Sequence, residues 1–418
     1  MTWSGQAVRD AAHAGNYGRV IKLTRVDAHI SQKQLAEACG VSQSAISRLE
    51  GRGTAAYNMT LLARAALHLH LPPRLVGLAD LTAAQAARAD GTEVERRNFL
   101  AGAAAVVTAP SLPSSPKVGR QDGSYAATLR LVTTAFRRMD GQTPSRLLTE
   151  PLLAHLRLTQ SLAAEADRTA KVQLAAVGSE AASFAGWLAW DMGDHGSART
   201  WYGTAIRAAR RASNSLLAAY QLGSLAQFEA HAGNSAQALS LIRSARRHLA
   251  DQCPAVAEAW LAANEALAHA ATGDSDAADR ALTTAACIVE RIAVEDPPPW
   301  PWVLNFTPGK VAATRVTCGA WLGRPRWVLA AQDSVSSVMT SGHEKQRALL
   351  LADLAMAHMA EGRIDGAFAL GARALEIGTR YRSGRIVERV RALRRTYSSP
   401  TPPKIVREFD DRLHDVYL

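Results

Sequence analysis

The sequence predicts an all-α protein: a small helical bundle at the N-terminus, then a long α-solenoid of helical hairpins. Three observations support this prediction. The 418 residues are 48% apolar, 20% charged and rich in alanine, which favours closely packed helices. Two short amphipathic segments joined by a tight turn lie between residues 31 and 50. Turn-like glycine pairs recur about every 40 residues from residue 193 onward.

The charge and the cysteines limit the class of protein. A formal net charge of +11 suits a polyanionic partner, with nucleic acid as the first candidate. The alternative is an arginine-rich composition without such a partner. The 4 cysteines stand far apart without paired spacing, which fits a reducing cytoplasm better than a disulfide framework or a metal site. No apolar run reaches the roughly 18 residues of a membrane span.

A capping box starts the first of the two short helices. Ser31 is followed three residues later by Gln34, the spacing at which each side chain bonds the other residue's backbone N–H. The helix is predicted over Gln32–Cys39. Gly40 is placed to end it in the left-handed conformation, which costs glycine little.

The second short helix is predicted to begin at Ser42, with Ile46 and Leu49 facing the core. Two short helices joined by Gly-Val at this spacing form a helix-turn-helix. The stretch "SQKQLAEACGVSQSAISRLEGRG" resembles the Cro/repressor (xenobiotic-response-element) family of DNA-binding domains over roughly residues 17–78. The resemblance implies a compact helical domain that binds DNA in a sequence-specific way.

Outward-facing polar side chains of this domain are the candidate DNA contacts. A recognition helix enters the major groove N-terminus first, where glutamine can pair with adenine and arginine with guanine, so Gln43 and Arg48 are expected to read bases. Ser42 and Ser47 are expected at phosphate or sugar, and Gln32, at the N-terminus of the preceding helix, at phosphate. The full predicted set is Gln32, Ser42, Gln43, Ser44, Ser47 and Arg48. The alternative is a merely solvated face on a small helical domain.

One such domain reaches a single half-site, so a homodimer on a double-stranded DNA operator is expected. By the resemblance, Glu50 is expected to be a structural acceptor near helix ends rather than a reader of DNA.

The domains are predicted to be 1–80 for the helix-turn-helix, 81–122 for a linker and 123–418 for the repeats. Within the linker, "ERRNFLAGAAAVVTAP" at 95–110 resembles a twin-arginine export signal. A signal peptide must be N-terminal, and this apolar run is mostly alanine and glycine. A short apolar helix that packs on a partner surface, before a segment rich in proline and serine, is the better interpretation.

A repeat organises the rest of the chain. Its turn glycines are Gly193, Gly233, Gly273, Gly323 and Gly362, which stand 40, 40, 50 and 39 residues apart. Five residues after each glycine come Ala198, Ala238, Ala278, Val328 and Ala367, and twelve after come Ala205, Ala245, Ala285, Val335 and Ala374. The two columns are seven residues apart and share one helix face. Each unit is therefore a helical hairpin, and an irregular hairpin is predicted before them, from Tyr125 to about Glu165.

These hairpins resemble degenerate tetratricopeptide repeats, which form a superhelix with a concave surface that holds peptides or extended segments. Polar and aromatic residues on the first helix of each unit are the candidate ligand contacts. They are Trp187, Trp190, Gln227, Glu229, Asn264, Glu265 and Asp353. The alternative for the tryptophans is a place in the core. The run Arg380–Arg395 is predicted to be a terminal capping helix with a solvated basic face, and a second DNA-phosphate contact is the alternative.

No Walker loop, dinucleotide fingerprint, nucleophile elbow or metal-ligand cluster occurs, so an enzyme, a cofactor and a metal are not expected. The favoured hypothesis is a cytoplasmic, dimeric transcription regulator, such as a repressor, whose repeats bind a peptide or small-molecule signal. This arrangement is similar to the peptide-sensing quorum regulators and to actinobacterial helix-turn-helix/repeat regulators. The alternative is an interaction scaffold whose repeats bind a protein partner, such as a sigma factor or a toxin, with DNA binding secondary.

Overall fold

The computed structural model describes residues 5–53, 57–77, 124–250, 253–292, 301–303, 306–414 and 416. Over these residues the chain forms helices and turns and no strand, which confirms the predicted all-α class. The chain divides into two compact units. We call them the N-terminal unit, Met1–Pro110 with Gly193–Trp201, and the repeat unit, Ser111–Met192 with Tyr202–Leu418. The predicted linker, including the segment 95–110, lies outside the described residues, and its boundaries stay a prediction.

The N-terminal unit contains the predicted helix-turn-helix. Its described elements are α1 (Gln6–His13), α2 (Tyr17–Asp27), α3 (Gln32–Cys39), α4 (Gln43–Glu50), α5 (Met59–His68) and a 3₁₀ turn (Pro73–Val76). One apolar core joins these helices, and Ile21, Leu35, Ile46, Leu62 and Leu69 are fully buried in it.

The local signals around α3 are confirmed. Ser31 Oγ accepts a hydrogen bond from the Gln34 N–H at 3.2 Å, and Gln34 Oε1 accepts one from the Ser31 N–H at 2.8 Å. Gly40 has φ 65° and ψ 39°, so it ends α3 in the left-handed region. Ser42 precedes α4 without a side-chain capping bond, because its Oγ pairs with Ser44 Oγ at 2.9 Å.

A glycine lets α2 cross close to the end of α4. A Cβ atom added at Gly18 would lie 2.1 Å from the carbonyl oxygen of Leu49, far inside van der Waals contact. The Gly18 N–H also donates to the Tyr57 hydroxyl at 2.9 Å. The approach of these two helices therefore requires a residue without a side chain.

From residue 124 onward the chain is a succession of helical hairpins. The helices are α6 (Ser124–Met139), α7 (Ser145–Glu165), α8 (Arg168–Asp191), α9 (His195–Arg211), α10 (Ser215–His231), α11 (Ser235–Leu249), α12 (Ala255–Ala270), α13 (Ser275–Val289), α14 (Pro308–Trp321), α15 (Pro325–Ala331), α16 (Ser336–Met339), α17 (Glu344–Ala360), α18 (Ile364–Arg380), α19 (Gly384–Arg395) and α20 (Lys404–His414). Short 3₁₀ turns lie at Asp140–Gln142, Pro301–Val303 and Asp333–Val335. The irregular hairpin predicted before the repeats is α6 with α7.

The repeat pattern read from the sequence matches the backbone. The five turn glycines, Gly193, Gly233, Gly273, Gly323 and Gly362, have φ values of 80°, 81°, 83°, 62° and 73°. This left-handed region strongly favours glycine. All ten small residues of the two columns are at most 1% exposed. Burial of these small side chains allows the helices of successive hairpins to pack closely.

The stack of hairpins closes on itself. Gln142, after α6, donates through Nε2 to the Gly342 carbonyl at 2.8 Å, across 200 residues of sequence. Lys345, at the start of α17, donates to Asp140 Oδ1 at 2.8 Å. The first hairpin of the repeat unit therefore contacts a late one, and the hairpins surround a common interior.

The expectation for Arg380–Arg395 needs a correction. Ile386, Val387, Val390 and Leu393 are buried in α19 as predicted, but α20 follows it, so α19 is not the terminal helix. Its basic face is also not uniformly solvated. Arg385 and Arg389 point into the interior of the repeat unit, where tryptophan rings and a buried carboxylate surround them.

Candidate DNA-binding surface and ligand cavity

One face of α4 presents the predicted recognition residues to solvent. Gln43, Ser44, Ser47 and Arg48 are exposed, as is Ser42 just before the helix. Ile46 and Leu49, on the opposite face, are buried. The sequence-predicted set therefore shares one surface, with the exception of Gln32.

Gln32 is half-buried and belongs to a charged network under this surface. Its Nε2 donates to Glu50 Oε2 at 2.7 Å. Arg25 donates to the same carboxylate, from Nε to Oε1 at 2.6 Å and from Nη2 to Oε2 at 3.0 Å. The third Arg25 contact is Nη1 to the Ile30 carbonyl at 2.8 Å. Glu50 is thus the structural acceptor that was expected, and it joins α2, α3 and α4.

The interior of the repeat unit holds a cavity of about 720 Å³. Four of the seven predicted ligand residues line it, namely Trp187, Gln227, Asn264 and Asp353. The other three lie elsewhere: Trp190 is packed behind the wall, Glu229 accepts from Asn234 Nδ2 at 2.6 Å, and Glu265 pairs with Arg246 at 2.8 Å. The structure therefore brings the predicted residues together only in part.

The cavity wall contains a buried ionic cluster that was not predicted from the sequence. Lys345 Nζ lies 2.8 Å from Asp140 Oδ1 and 3.1 Å from Asp191 Oδ2. Ser145 and Ser383 each donate to Asp191 at 2.6 Å, and the Trp187 indole N–H donates to Asp140 Oδ2 at 2.7 Å. These residues come from distant parts of the chain, so no local spacing could have indicated them.

Aromatic rings lie in two layers at the cavity, one in its wall and one mostly behind it. In one layer, Tyr220 lies 5.6 Å from both Trp260 and Trp302, measured between ring centroids. Arg137 donates from Nη2 to the Tyr220 hydroxyl at 3.1 Å and to the Trp302 carbonyl. Trp302 belongs to the proline-rich insertion "EDPPPWPWVLNF", residues 295–306, which lengthens the interval between the third and fourth turn glycines to 50 residues. The insertion therefore supplies part of the cavity wall.

In the second layer, His231 lies between Trp190 and Trp321, each 4.9 Å away between ring centroids. The Arg385 guanidinium lies 3.7 Å from the Trp190 centroid, and Arg389 lies 5.0 Å from the Trp321 centroid. Burial, with the two arginines, lowers the pKa of His231 well below its ordinary value, so the imidazole is neutral at physiological pH.

The polar groups of the wall differ in how well they are satisfied. Thr317 donates to Asp353 at 2.6 Å, and Arg389 Nε lies 3.1 Å from that carboxylate. By contrast, Asn264 is 2% exposed and its Nδ2 has no hydrogen-bond partner among the described residues. The same holds for the Nε of Arg385. Buried donors without acceptors are costly, so these two groups mark places where a ligand atom could bind.

The described residues contain no group of three or more histidine, cysteine, aspartate or glutamate side chains arranged to hold a metal ion. In the same part of the chain, no helix has the length and apolar character needed to cross a bilayer.

Residues 21–72 match a family model for the helix-turn-helix, HTH_3. The N-terminal unit carries a helix-turn-helix domain. The match includes α3, α4 and most of α2, and the exposed face of α4 lies within it.

No curated protein sequence matches the chain. Among solved structures, it is similar to PlcR of Bacillus thuringiensis, crystallised in complex with the peptide PapR7 and DNA. The two share 14% sequence identity with a TM-score of 0.35, over 84% of this chain and 99% of PlcR.

Proposed function

We propose that this protein is a cytoplasmic, sequence-specific DNA-binding transcription regulator whose repeat unit binds a signalling ligand. The exposed polar face of α4, within a matched helix-turn-helix domain, is the observation that carries the DNA-binding part. The cavity of the repeat unit supports the sensing part, because its size suits a small molecule or a short peptide. The protein acts by binding and not by catalysis.

On DNA, α4 enters the major groove. Gln43 and Arg48 read base edges, where an amide pairs with adenine and a guanidinium with guanine. Ser42, Ser44 and Ser47 contact phosphate or sugar, as does Gln32 at the N-terminus of α3. The Arg25–Glu50–Gln32 network supports this assignment, because it fixes α3 and α4 relative to each other before DNA arrives.

DNA binding is tested by selecting an operator from genomic fragments with the purified protein. The double variant Gln43→Ala and Arg48→Ala should lose most of the preference for that operator over random DNA, since each bidentate base contact is worth about 1–3 kcal/mol. Lys22→Ala, an exposed change on α2, should weaken binding to both DNAs alike and keep the preference. Absence of any preferred site, or an unchanged preference in the double variant, would contradict the proposal.

We further propose that the protein binds its operator as a homodimer through an apolar face on α6 and α7. Tyr125, Val132 and Met139 are exposed at seven-residue spacing on α6, and Leu147 and Leu158 are exposed on α7. Exposed apolar patches of this kind mark interaction surfaces. A second copy of this chain is the occupant that the function requires, because one helix-turn-helix reads only one half-site.

A charge placed on this face should separate the dimer. Val132→Glu should shift the protein to monomers and lower operator affinity at least tenfold, measured by sedimentation and by titration of the operator. Ser240→Glu, exposed on α11, is the matched control and should keep both properties. A monomeric wild-type protein that binds its operator fully would exclude the dimer.

A further inference from the structure

The cavity wall has an imbalance of charge. Within the described residues, every carboxylate that lines the cavity has a basic partner at 3.1 Å or less. The pairs are Asp140 and Asp191 with Lys345, Asp353 with Arg389, and Glu180 with Arg130. Four lining cations, Arg137, Arg138, Lys310 and Arg385, form no ion pair with a carboxylate in the same part of the chain, and Arg138 is the exposed one among them.

Arg385 is the most unusual of these cations. Its guanidinium lies over the rings of Trp190 and Trp187, at 3.7 and 5.1 Å from their centroids, and its Nε has no acceptor in the described chain. Buried charges are normally paired and hydrogen-bonded, because the loss of water is costly. Burial lowers the pKa of Arg385 to about 10, so the group is charged at neutral pH; the carboxylates of Asp191 and Asp353 act on it electrostatically, but neither forms an ion pair with it.

Two further cations that line the cavity, Lys310 and Arg137, also form no ion pair with a carboxylate of the described chain. Lys310 Nζ donates to the Gln346 side-chain oxygen, a neutral partner, and burial lowers the pKa of its amine. Within the described chain, the hydrogen bonds of Arg137 go to neutral oxygens, of Tyr220 and Trp302. Asn264 adds an unpartnered N–H donor to the wall. Among the described lining residues, Asp353 Oδ1 is the acceptor without a hydrogen bond, and it lies 3.1 Å from Arg389 Nε. The remaining unsatisfied capacity of the wall is cationic and hydrogen-donating.

The rest of the wall is aromatic. Tyr220 and Trp302 are stacked with 23° between their planes, and Trp260 lies beside them. Such rings favour flat apolar groups in offset or edge-on contact. A cavity of about 720 Å³ matches the range of roughly 300–1,000 Å³ that small ligands occupy and is too small for a folded protein.

We propose that the cavity binds a small organic carboxylate with an aromatic body, whose carboxylate is held by the Arg385 guanidinium and the Asn264 amide. The role of this ligand as a signal rests on the proposed sensing function. Its binding involves residues of the repeat unit alone. The carboxylate supplies the missing counter-charge, and charge-assisted hydrogen bonds of this type are roughly twice as strong as neutral ones. The aromatic body contacts the Tyr220, Trp260 and Trp302 rings.

The test compares naphthoate with its neutral isostere naphthamide, on the full-length protein without DNA. Binding is followed by calorimetry and by the quenching of tryptophan fluorescence. We expect naphthoate to bind at least tenfold more tightly, with the advantage reduced at high salt. Equal affinities of the two probes, or no binding of naphthoate at millimolar concentration, would overturn the proposal. This comparison needs no variant, so a failure of folding cannot obscure it.

Variants locate the contact. Arg385→Met keeps an apolar stem over Trp190 but removes the charge, and it should bring the two probes within twofold of each other. Asn264→Asp places a negative charge in the same wall and should abolish naphthoate binding. Arg395→Met, on the same helix with 40% of its side chain exposed, should keep the tenfold difference. If Arg385→Met folds and keeps that difference, the assignment of the carboxylate to Arg385 is wrong.

A second pair of probes distinguishes two sources of the carboxylate. The dipeptide phenylalanyl-phenylalanine carries a terminal carboxylate, and its C-terminal amide does not. A preference for the free acid comparable to that for naphthoate identifies a peptide terminus as the ligand group, and a preference confined to naphthoate identifies a free aromatic acid. Operator binding is measured separately, so a loss of the DNA-binding function would leave this result intact.

Discussion

At the residue scale, a few buried polar side chains determine how the functional surfaces are presented. Glu50 is 8% exposed and accepts hydrogen bonds from Arg25 and Gln32, so a single carboxylate links three helices under the recognition face. In the repeat unit, Asp191 has the same kind of role between Ser145, Ser383 and Lys345. In both cases a buried carboxylate fixes the relative positions of the helices that carry the ligand-facing residues.

Buried histidines make the stability of the repeat unit dependent on pH. Burial lowers the pKa of His155 and His231, and partial burial lowers that of His343, so the folded protein keeps these imidazoles neutral. The unfolded chain protonates them below a pH of about 6.5. Because the unfolded state then binds more protons, stability is complete above that pH and is lost as the pH falls below it.

Urea denaturation should therefore show a lower midpoint at about pH 5.5 than at about pH 7.5, with up to about 1.4 kcal/mol lost per buried histidine per pH unit. His231→Gln should reduce this pH dependence, whereas His414→Gln, an exposed change, should leave it as in the wild type. A midpoint that does not change between the two conditions would show that these imidazoles are not held neutral.

At the element scale, close contacts between helices depend on small residues at particular positions. The clearest case is Gly18, where α2 meets the carbonyl end of α4. Gly18→Ala places a methyl group 2.1 Å from the Leu49 oxygen, and the helices must separate to accept it. Overpacking of this kind costs about 1–3 kcal/mol.

The expected result of Gly18→Ala is faster hydrogen exchange in α2 and α4 together with weaker operator binding, because α4 moves. Gly51→Ala is a suitable control, since its added Cβ would meet nothing closer than 3.5 Å. If both variants exchange and bind like the wild type, the close approach of α2 to α4 is not as described.

Many features of the individual helices could be predicted from the sequence, because the signals for them are local. The capping box at Ser31, the left-handed Gly40 and the two columns of small residues are statements about neighbours along the chain, and all are confirmed. The cavity was predicted only in part, for a physical reason. Which face of a repeat helix turns inward depends on how the stack closes, and that depends on contacts such as Lys345 with Asp140, which no periodicity encodes.

The dependence on long-range contacts also explains why the environment of the α19 arginines was predicted incorrectly. In the sequence, Arg385 and Arg389 belong to a run with seven arginines over Arg380–Arg395, which is typical of a solvated basic face. The tryptophans that cover them come from α8 and α14, nearly 200 and 70 residues earlier. Only the fold brings those rings to the arginines, so the local composition predicted a solvated environment for two side chains that lie in the interior.

At the scale of the whole molecule, the repeat unit depends on its closure. Lys345 and Asp140 are each 3% exposed, and together with Asp191 they join the first hairpin, α8 and α17. Removing the cation leaves two neighbouring buried carboxylates without compensation, which is far more destabilising than replacing the entire group by apolar residues.

Lys345→Met should therefore lower the free energy of unfolding of the repeat unit by about 3–5 kcal/mol. It should also increase the accessibility of the cavity, measured by the quenching of tryptophan fluorescence with acrylamide. Lys404→Met removes a lysine whose side chain is 82% exposed and should have no such effect. If the Lys345→Met protein is as stable as the wild type and its tryptophans are equally protected from acrylamide, the cluster does not keep the first hairpin joined to the late one.

The closure also bears on how the repeat unit unfolds. In an open array of repeats, each hairpin contacts only its neighbours, so the ends fray and unfolding spreads stepwise along the chain. Here a hydrogen bond and an ion pair join segments 200 and 205 residues apart, so neither hairpin can detach without disturbing the other. We expect a single cooperative transition for this unit and slow folding, since the closing contacts form only after a long chain segment has been ordered.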